Sequence, residues 1–106
     1  MKEDKLLKII NHYGVMPQLK YFQSEVFELN EAIIDYNYVE LYKDSPAEKY
    51  HKGHIAEEIA DVMVMLMQFK EYYHIDGNDI LKIMDEKINR QIERIENENS
   101  RVMEIQ

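Results

Sequence analysis

The chain has 106 residues, no cysteine, three glycines, two prolines and a formal charge of −8 at pH 7. That length suits one domain with a modest core, and so little glycine and proline argues against a β fold full of tight turns. The lack of cysteine excludes a disulfide framework, a thiol nucleophile and a Cys-based zinc site. The acidic balance argues against a protein that grips nucleic acid through its phosphate backbone.

Taken in chain order, the apolar spacing predicts a short first helix over residues 3–13, with Leu6, Leu7, Ile9 and Ile10 on its apolar side and Gly14 as its stop. Pro17 suits the first turn of a second helix reaching about residue 43, because the N–H it lacks has no helical partner there. Leu19, Phe22, Val26, Leu29 and Ile33 define one side of this helix, with Glu25 at the edge of that side and Glu28 further round. Tyrosines at 36, 38 and 42 are expected to be half-buried in the bundle. Asp44-Ser-Pro-Ala and Lys52-Gly53 then bracket a polar connection containing Tyr50, His51 and His54, expected to be the only long loop.

A third helix is expected over residues 53–73, carrying Ile55, Ile59, Val62, Leu66 and Phe69. Residues 62–67 are apolar all the way round, which is the behaviour of a helix enclosed by neighbours. That run is far shorter than the ~20 residues needed to cross a bilayer. With no apolar segment behind basic residues at the N-terminus, a cytoplasmic protein without a membrane partner is expected. Ile75-Asp-Gly-Asn-Asp interrupts the helix and offers Asp76 or Asn78 as an N-cap. A fourth helix follows over residues 79–98, with Leu81, Met84, Ile88, Ile92 and Ile95 in register, and the tail 101–106 either extends it or frays. The expected architecture is a single all-α domain, a bundle of about four helices with its core over residues 17–96. Its apolar surface exceeds what so small a monomer can bury, so a homodimer or a dimer of dimers is expected to complete it.

Two acidic pairs carry the chemical information: Glu25-x-x-Glu28 and Glu58-x-x-Asp61, the second within His54-Ile-Ala-Glu-Glu-Ile-Ala-Asp-Val. Residues three apart lie on nearly the same face of a helix, so each pair aims two carboxylates in one direction. Four carboxylates brought together repel one another unless cations sit among them, and Mg²⁺ favours oxygen ligands while keeping some of its waters. The cluster therefore predicts a metal, held by Glu25, Glu28, Glu58 and Asp61. A water held by metal and carboxylate can attack phosphorus in line with the leaving group, and Glu28 or Glu58 is the candidate to orient or deprotonate it. Lys87, Arg90 and Arg94 form a basic stripe on the last helix. A nucleobase would need an apolar or aromatic wall, for which Tyr21, Phe22 and the stretch from Tyr50 to His54 are candidates.

The order Glu25-x-x-Glu28-Leu29, then Glu57-Glu58-x-x-Asp61-Val62, then Lys87-Ile-Asn89-Arg90 resembles the MazG-like nucleotide pyrophosphohydrolases of the all-α NTP pyrophosphohydrolase superfamily. The resemblance covers residues 17–94. It implies that Glu25, Glu28, Glu58 and Asp61 bind Mg²⁺, with Mn²⁺ as a possible substitute, and that Lys87, Asn89 and Arg90 face the nucleotide. The implied reaction is hydrolysis of a nucleoside triphosphate to the monophosphate and pyrophosphate, in a nucleotide-pool house-cleaning role. Related activities, dUTPase-like or phosphoribosyl-ATP pyrophosphatase, are alternatives within the superfamily. A different class of reading is a non-catalytic helical dimer serving as an interaction module, its acidic pairs solvated. Glu48-x-x-His51 and Glu71-x-x-His74 also match an element of di-iron bundles, but that site needs two such elements in one core. Here the first falls in the expected loop and the second points away from Glu58.

Overall fold

A computed structural model describes residues 2–38 and 43–105, with side chains as far as residue 101. Among them are four helices and no strand: α1 (Lys2–Tyr13), α2 (Val15–Tyr38), α3 (Pro46–Tyr72) and α4 (Gly77–Ile105). The all-α architecture is as expected. The chain divides into two compact units, Met1–Tyr73 and His74–Gln106.

In the first unit Gly14 serves both neighbouring helices. Its N–H donates to the Ile10 carbonyl at 2.8 Å, closing α1, and its own carbonyl accepts from the Gln18 N–H at 3.1 Å, opening α2. This double role needs φ of +93°, a region costly for any residue with a Cβ. α2 and α3 then form an antiparallel hairpin. Gln18 near the start of α2 meets Gln68 near the end of α3, and Phe22 packs edge-to-face on Phe69 with ring centroids 5.8 Å apart. At the far end Tyr36 hydrogen-bonds the Glu48 carboxylate.

α2 is described only to Tyr38, and Lys43 and Asp44 already form a turn, with Asp44 at φ 62°. The helix expected to reach residue 43 therefore ends before it. Residues 39–42 lie outside the described residues, and with them the expectation for Tyr42. The expected polar loop is instead the first turns of α3, and the signal for this was legible. Ser45 is the N-cap, its Oγ accepting from the Glu48 N–H at 3.2 Å, and Pro46 occupies the first turn. Ser45-x-x-Glu48 is the sequence pattern of a capping box, although here the Glu48 carboxylate accepts from the Asp44 N–H at 3.2 Å and pairs with Lys52 at 3.2 Å. Gly53 does not break the helix, and a Cβ there would meet open space. Tyr50, His51 and His54 thus stand on a helix.

The buried apolar residues are few: Leu6, Ile10, Ala32 and Met65 among those described. The reason lies in α2, whose buried line is Gln18, Glu25 and Ala32, spaced seven apart. Glu25 is at the centre of the packed face, not at its edge as the apolar spacing suggested. The apolar stripe Leu19, Val26 and Ile33 lies one residue further round and is left partly open. The same holds on α3, where Met65 is buried but Met63, Val64 and Leu66 are exposed, so residues 62–67 are not enclosed within this chain. Tyr36 is half-buried as expected, whereas Tyr38 is 86% exposed.

In the second unit Asp76 is the N-cap of α4, its Oδ1 accepting from the Asn78 N–H at 2.8 Å and its carbonyl from Asp79 and Ile80. The helix continues past residue 98 through the tail. Leu81, Met84, Ile88, Ile92 and Ile95 share one side and are each about half-exposed within this chain. No helix among the described residues is long and apolar enough to cross a membrane.

The cap at α3 is open to direct test. Ser45→Ala should destabilise the protein by about 1 kcal/mol in urea unfolding, and Ser45→Asp should retain most of the stability. The Asp44 N–H, and next to it Lys52, hold the Glu48 carboxyl below the usual carboxylate range. A depressed folded pKa stabilises above the unfolded value and is lost as pH falls through the folded one. Unfolding followed from neutral pH into acid should therefore show less acid destabilisation in Glu48→Gln than in the wild type.

Candidate functional site

Three of the four carboxylates of the two acidic pairs meet across the α2–α3 hairpin. Glu25 from α2 and Glu58 and Asp61 from α3 each offer a carboxylate oxygen, and these atoms all lie within 4.8 Å of one another. The antiparallel pairing brings this about, since it sets the middle of α2 against the middle of α3. Glu25 is 4% and Glu58 8% exposed, whereas Asp61 is exposed. Two of the buried oxygens, Glu25 Oε2 and Glu58 Oε2, have no hydrogen-bond partner among the described residues.

Neighbouring groups satisfy the cluster only in part. The Tyr21 hydroxyl donates to the Glu25 carboxylate, and chiefly for that reason its phenol is held above the usual tyrosine range, with the charges of Glu25, Asp61 and Glu28 adding to the effect. His54 Nε2 lies 4.0 Å from Glu58 Oε1, a partner that is cationic only when protonated, and its ring stacks on Tyr50. Burial pushes the Glu58 carboxyl above the usual carboxylate range. The charges of Glu28, Asp61 and Glu25 push it the same way, and His54 opposes them. Buried carboxylates left unpaired are costly. The donor set fits a hard cation, since all three ligands are oxygens and opposite ligands of Mg²⁺ or Ca²⁺ stand about 4–5 Å apart. A buried acidic triad able to hold a metal ion is thus present.

Glu28 stands outside this triad. It is exposed, shares a shallow surface depression with Lys20, Gln23, Ser24 and Phe27, and reaches Glu58 through its charge. Glu31, Asp35 and Glu57 are exposed. The di-iron elements do not join the cluster either. Glu48 is engaged by Asp44 and Lys52, and Glu71 by Lys70 at 2.7 Å.

A cavity of about 560 Å³ opens beside the triad, with Glu25 and Asp61 in its lining. Ile9 and Tyr13 of α1 and Val64 and Met65 of α3 supply apolar wall, Tyr21 flanks the acidic end, and Gln18 and Gln68 are the buried polar groups. Of the aromatic residues expected to line a base pocket, Tyr21 borders this cavity. Phe22 is instead engaged with Phe69, and Tyr50, His51 and His54 are not in the lining. Sequence reading missed Gln18 and Gln68, each seven residues from a carboxylate of its own helix, Glu25 and Asp61, because only the α2–α3 pairing brings the two amides together.

On α4, Lys87, Arg90, Gln91 and Arg94 border a separate cavity of about 170 Å³, and Asn89 is exposed outside it. The basic stripe expected on this helix is therefore formed.

Compared with known proteins, the chain matches no family model, no curated sequence and no solved structure.

The raised pKa of Glu58 carries a sign. A carboxyl raised in the fold favours folding below its unfolded pKa, and that contribution is lost as pH rises through the folded value. In the metal-free protein the contribution of Glu58 to stability should therefore fall as pH rises from acid to neutral, opposite in sign to that of Glu48. Glu58→Gln, which resembles the protonated acid, should blunt that loss, and scanning calorimetry of the two proteins across this range checks it.

Proposed function

We propose that this protein is a Mg²⁺-dependent nucleoside triphosphate pyrophosphohydrolase that works as a homodimer or a dimer of dimers. The observation that carries the reading is the acidic triad with its two buried, unpartnered carboxylate oxygens, joined through Glu25 and Asp61 to a largely apolar cavity. A site of that kind suits a ligand apolar at one end and anionic at the other, the anion tolerated only with cations between it and the carboxylates. The resemblance to MazG-like enzymes supports the same reading.

Glu25, Glu58 and Asp61 would hold the ion, which when bound neutralises phosphate charge and makes water a better nucleophile. Glu28, exposed and one turn from Glu25, would take the proton of the attacking water, with Glu58 the other candidate for that role. The water oxygen bonds to phosphorus as the bond between the α-phosphoryl group and the bridging oxygen breaks, giving monophosphate and pyrophosphate. Tyr21 holds Glu25 by hydrogen bond at the cavity mouth. Lys87, Asn89 and Arg90 enter as phosphate ligands only through the resemblance.

Homodimerisation follows from the apolar surface. With four buried apolar residues described and the sides of α2, α3 and α4 half-open, burial of apolar area within one chain is small. On α4, Leu81, Ile88 and Ile95 are seven residues apart, the repeat that packs one helix along another. That same surface is what favours the second reading, a non-catalytic helical interaction module.

Incubation with a panel of canonical and modified (d)NTPs should release pyrophosphate, not orthophosphate, and only with Mg²⁺ or Mn²⁺. Glu58→Gln should abolish turnover while leaving helicity intact; an unchanged rate would remove its catalytic assignment. No product from any nucleotide would leave the interaction module as the better reading. Mg²⁺ at a hundred times its Kd should stabilise the wild type by about 2.7 kcal/mol, and Glu25→Gln with Glu58→Gln should lose that increment. Sedimentation should show a dimer or larger species, and Ile88→Lys should shift it towards monomer.

A further inference from the structure

Gln18 and Gln68 are 6% and 2% exposed, in a cavity whose remaining wall is largely apolar. Buried amides in such surroundings are costly unless each polar atom finds a partner. Their orientation can be read from the far end of the chain of bonds. Gln68 Nε2 donates to Met65 Sδ at 3.7 Å, and a thioether sulfur can only accept. The Gln68 amide nitrogen is therefore turned to Met65 and its oxygen to α2, where it accepts from Gln18 Nε2 at 2.8 Å. The reverse assignment would set the Gln68 oxygen against sulfur, two acceptors in contact. Gln18 consequently spends one amide proton on Gln68, which leaves its second amide proton and its carbonyl oxygen for the cavity that it lines.

We infer that the cavity receives the base of the nucleotide and that Gln18 is its specificity-determining residue, offering an oriented carbonyl oxygen to a ring or exocyclic N–H of that base. The inference rests on the nucleotide reading of the adjacent carboxylates. The volume of about 560 Å³ lies within the range of small-molecule sites. The apolar and tyrosine walls suit a flat heterocycle, whose faces are apolar and whose edge alone is polar. Gln18 is seven residues before Glu25 on the same buried line of α2, so the amide and the acidic end lie about 10 Å apart along that helix. That span suits a base at one end and phosphates at the other. Gln68 and Met65 are positioning residues, acting through Gln18.

The test is an NMR titration of ¹⁵N-labelled protein with uridine, cytidine, adenosine and guanosine, each beside the analogue whose base N–H donors are methylated. At least one parent nucleoside should bind, with shifts at the Gln18 and Gln68 side-chain amides, and its methylated analogue should bind about tenfold more weakly or worse. Gln18→Leu should weaken the parent by a similar factor while leaving the analogue unchanged, so that the two losses do not add. Equal binding of parent and analogue to the wild type would overturn the inference without any variant, as would no binding of any nucleoside. Pyrophosphate release, measured separately, distinguishes the two readings. Hydrolysis without base discrimination defeats the pocket assignment alone, and discrimination without hydrolysis defeats the enzyme assignment alone.

Discussion

Two carboxylates buried face to face, Glu25 on α2 and Glu58 on α3, each with an oxygen that no group among the described residues satisfies, set the terms for the rest of this structure. A helix hairpin ordinarily places its most apolar line at the contact. Here that line on α2 reads Gln18, Glu25, Ala32, and the residues that would normally fill it are displaced to its flanks. The thin core, the open apolar sides and the strained acidity of Glu58 all follow from that one placement. A cation held among these carboxylates would remove a cost that the single chain retains.

The hairpin is built as successive polar layers. At one end the Gln18–Gln68 amide pair is a neutral, directional contact in apolar surroundings. At its middle the acidic triad concentrates like charge. At the other end Glu48 gathers the Asp44 N–H, Lys52 and the Tyr36 hydroxyl, and its acidity moves opposite to that of Glu58. Both are mostly buried, but one is fully answered by the fold and the other is not, and an unanswered group beside a cavity is where a ligand is expected.

The cavity adds direction to that argument. An acidic cluster alone is common on helical proteins, and a cavity alone says little about its occupant. Their junction at Glu25 and Asp61, with Tyr21 bonded to Glu25, sets an acidic end suited to a cation against an apolar wall, and this is what supports the proposed nucleotide reading. Tyr21 contributes both ways, as wall and as donor, which is why a partly exposed tyrosine here differs from Tyr38, which touches neither.

The all-α class, the four helices and the two acidic pairs Glu25/Glu28 and Glu58/Asp61 were legible in the residues, because helical periodicity and i, i+3 spacing are local properties. The start of α3 was legible too, in Ser45-Pro-Ala-Glu48, but polar residues and Gly53 masked it; a cap outweighs a single glycine with nothing against its missing side chain. Which line of α2 is buried could not be read, because apolar spacing marks a broad stripe and only the facing helix selects the centre of it. For the same reason Glu28 and Glu25 look equivalent in sequence, yet one is exposed and the other enclosed. The sequence by itself determined the helices and the carboxylates they carry. The tertiary structure decided which carboxylates meet, that Gln18 and Gln68 join them beside a cavity, and which oxygens go unsatisfied, since these depend on how α2 and α3 are registered against each other, a property of neither helix alone.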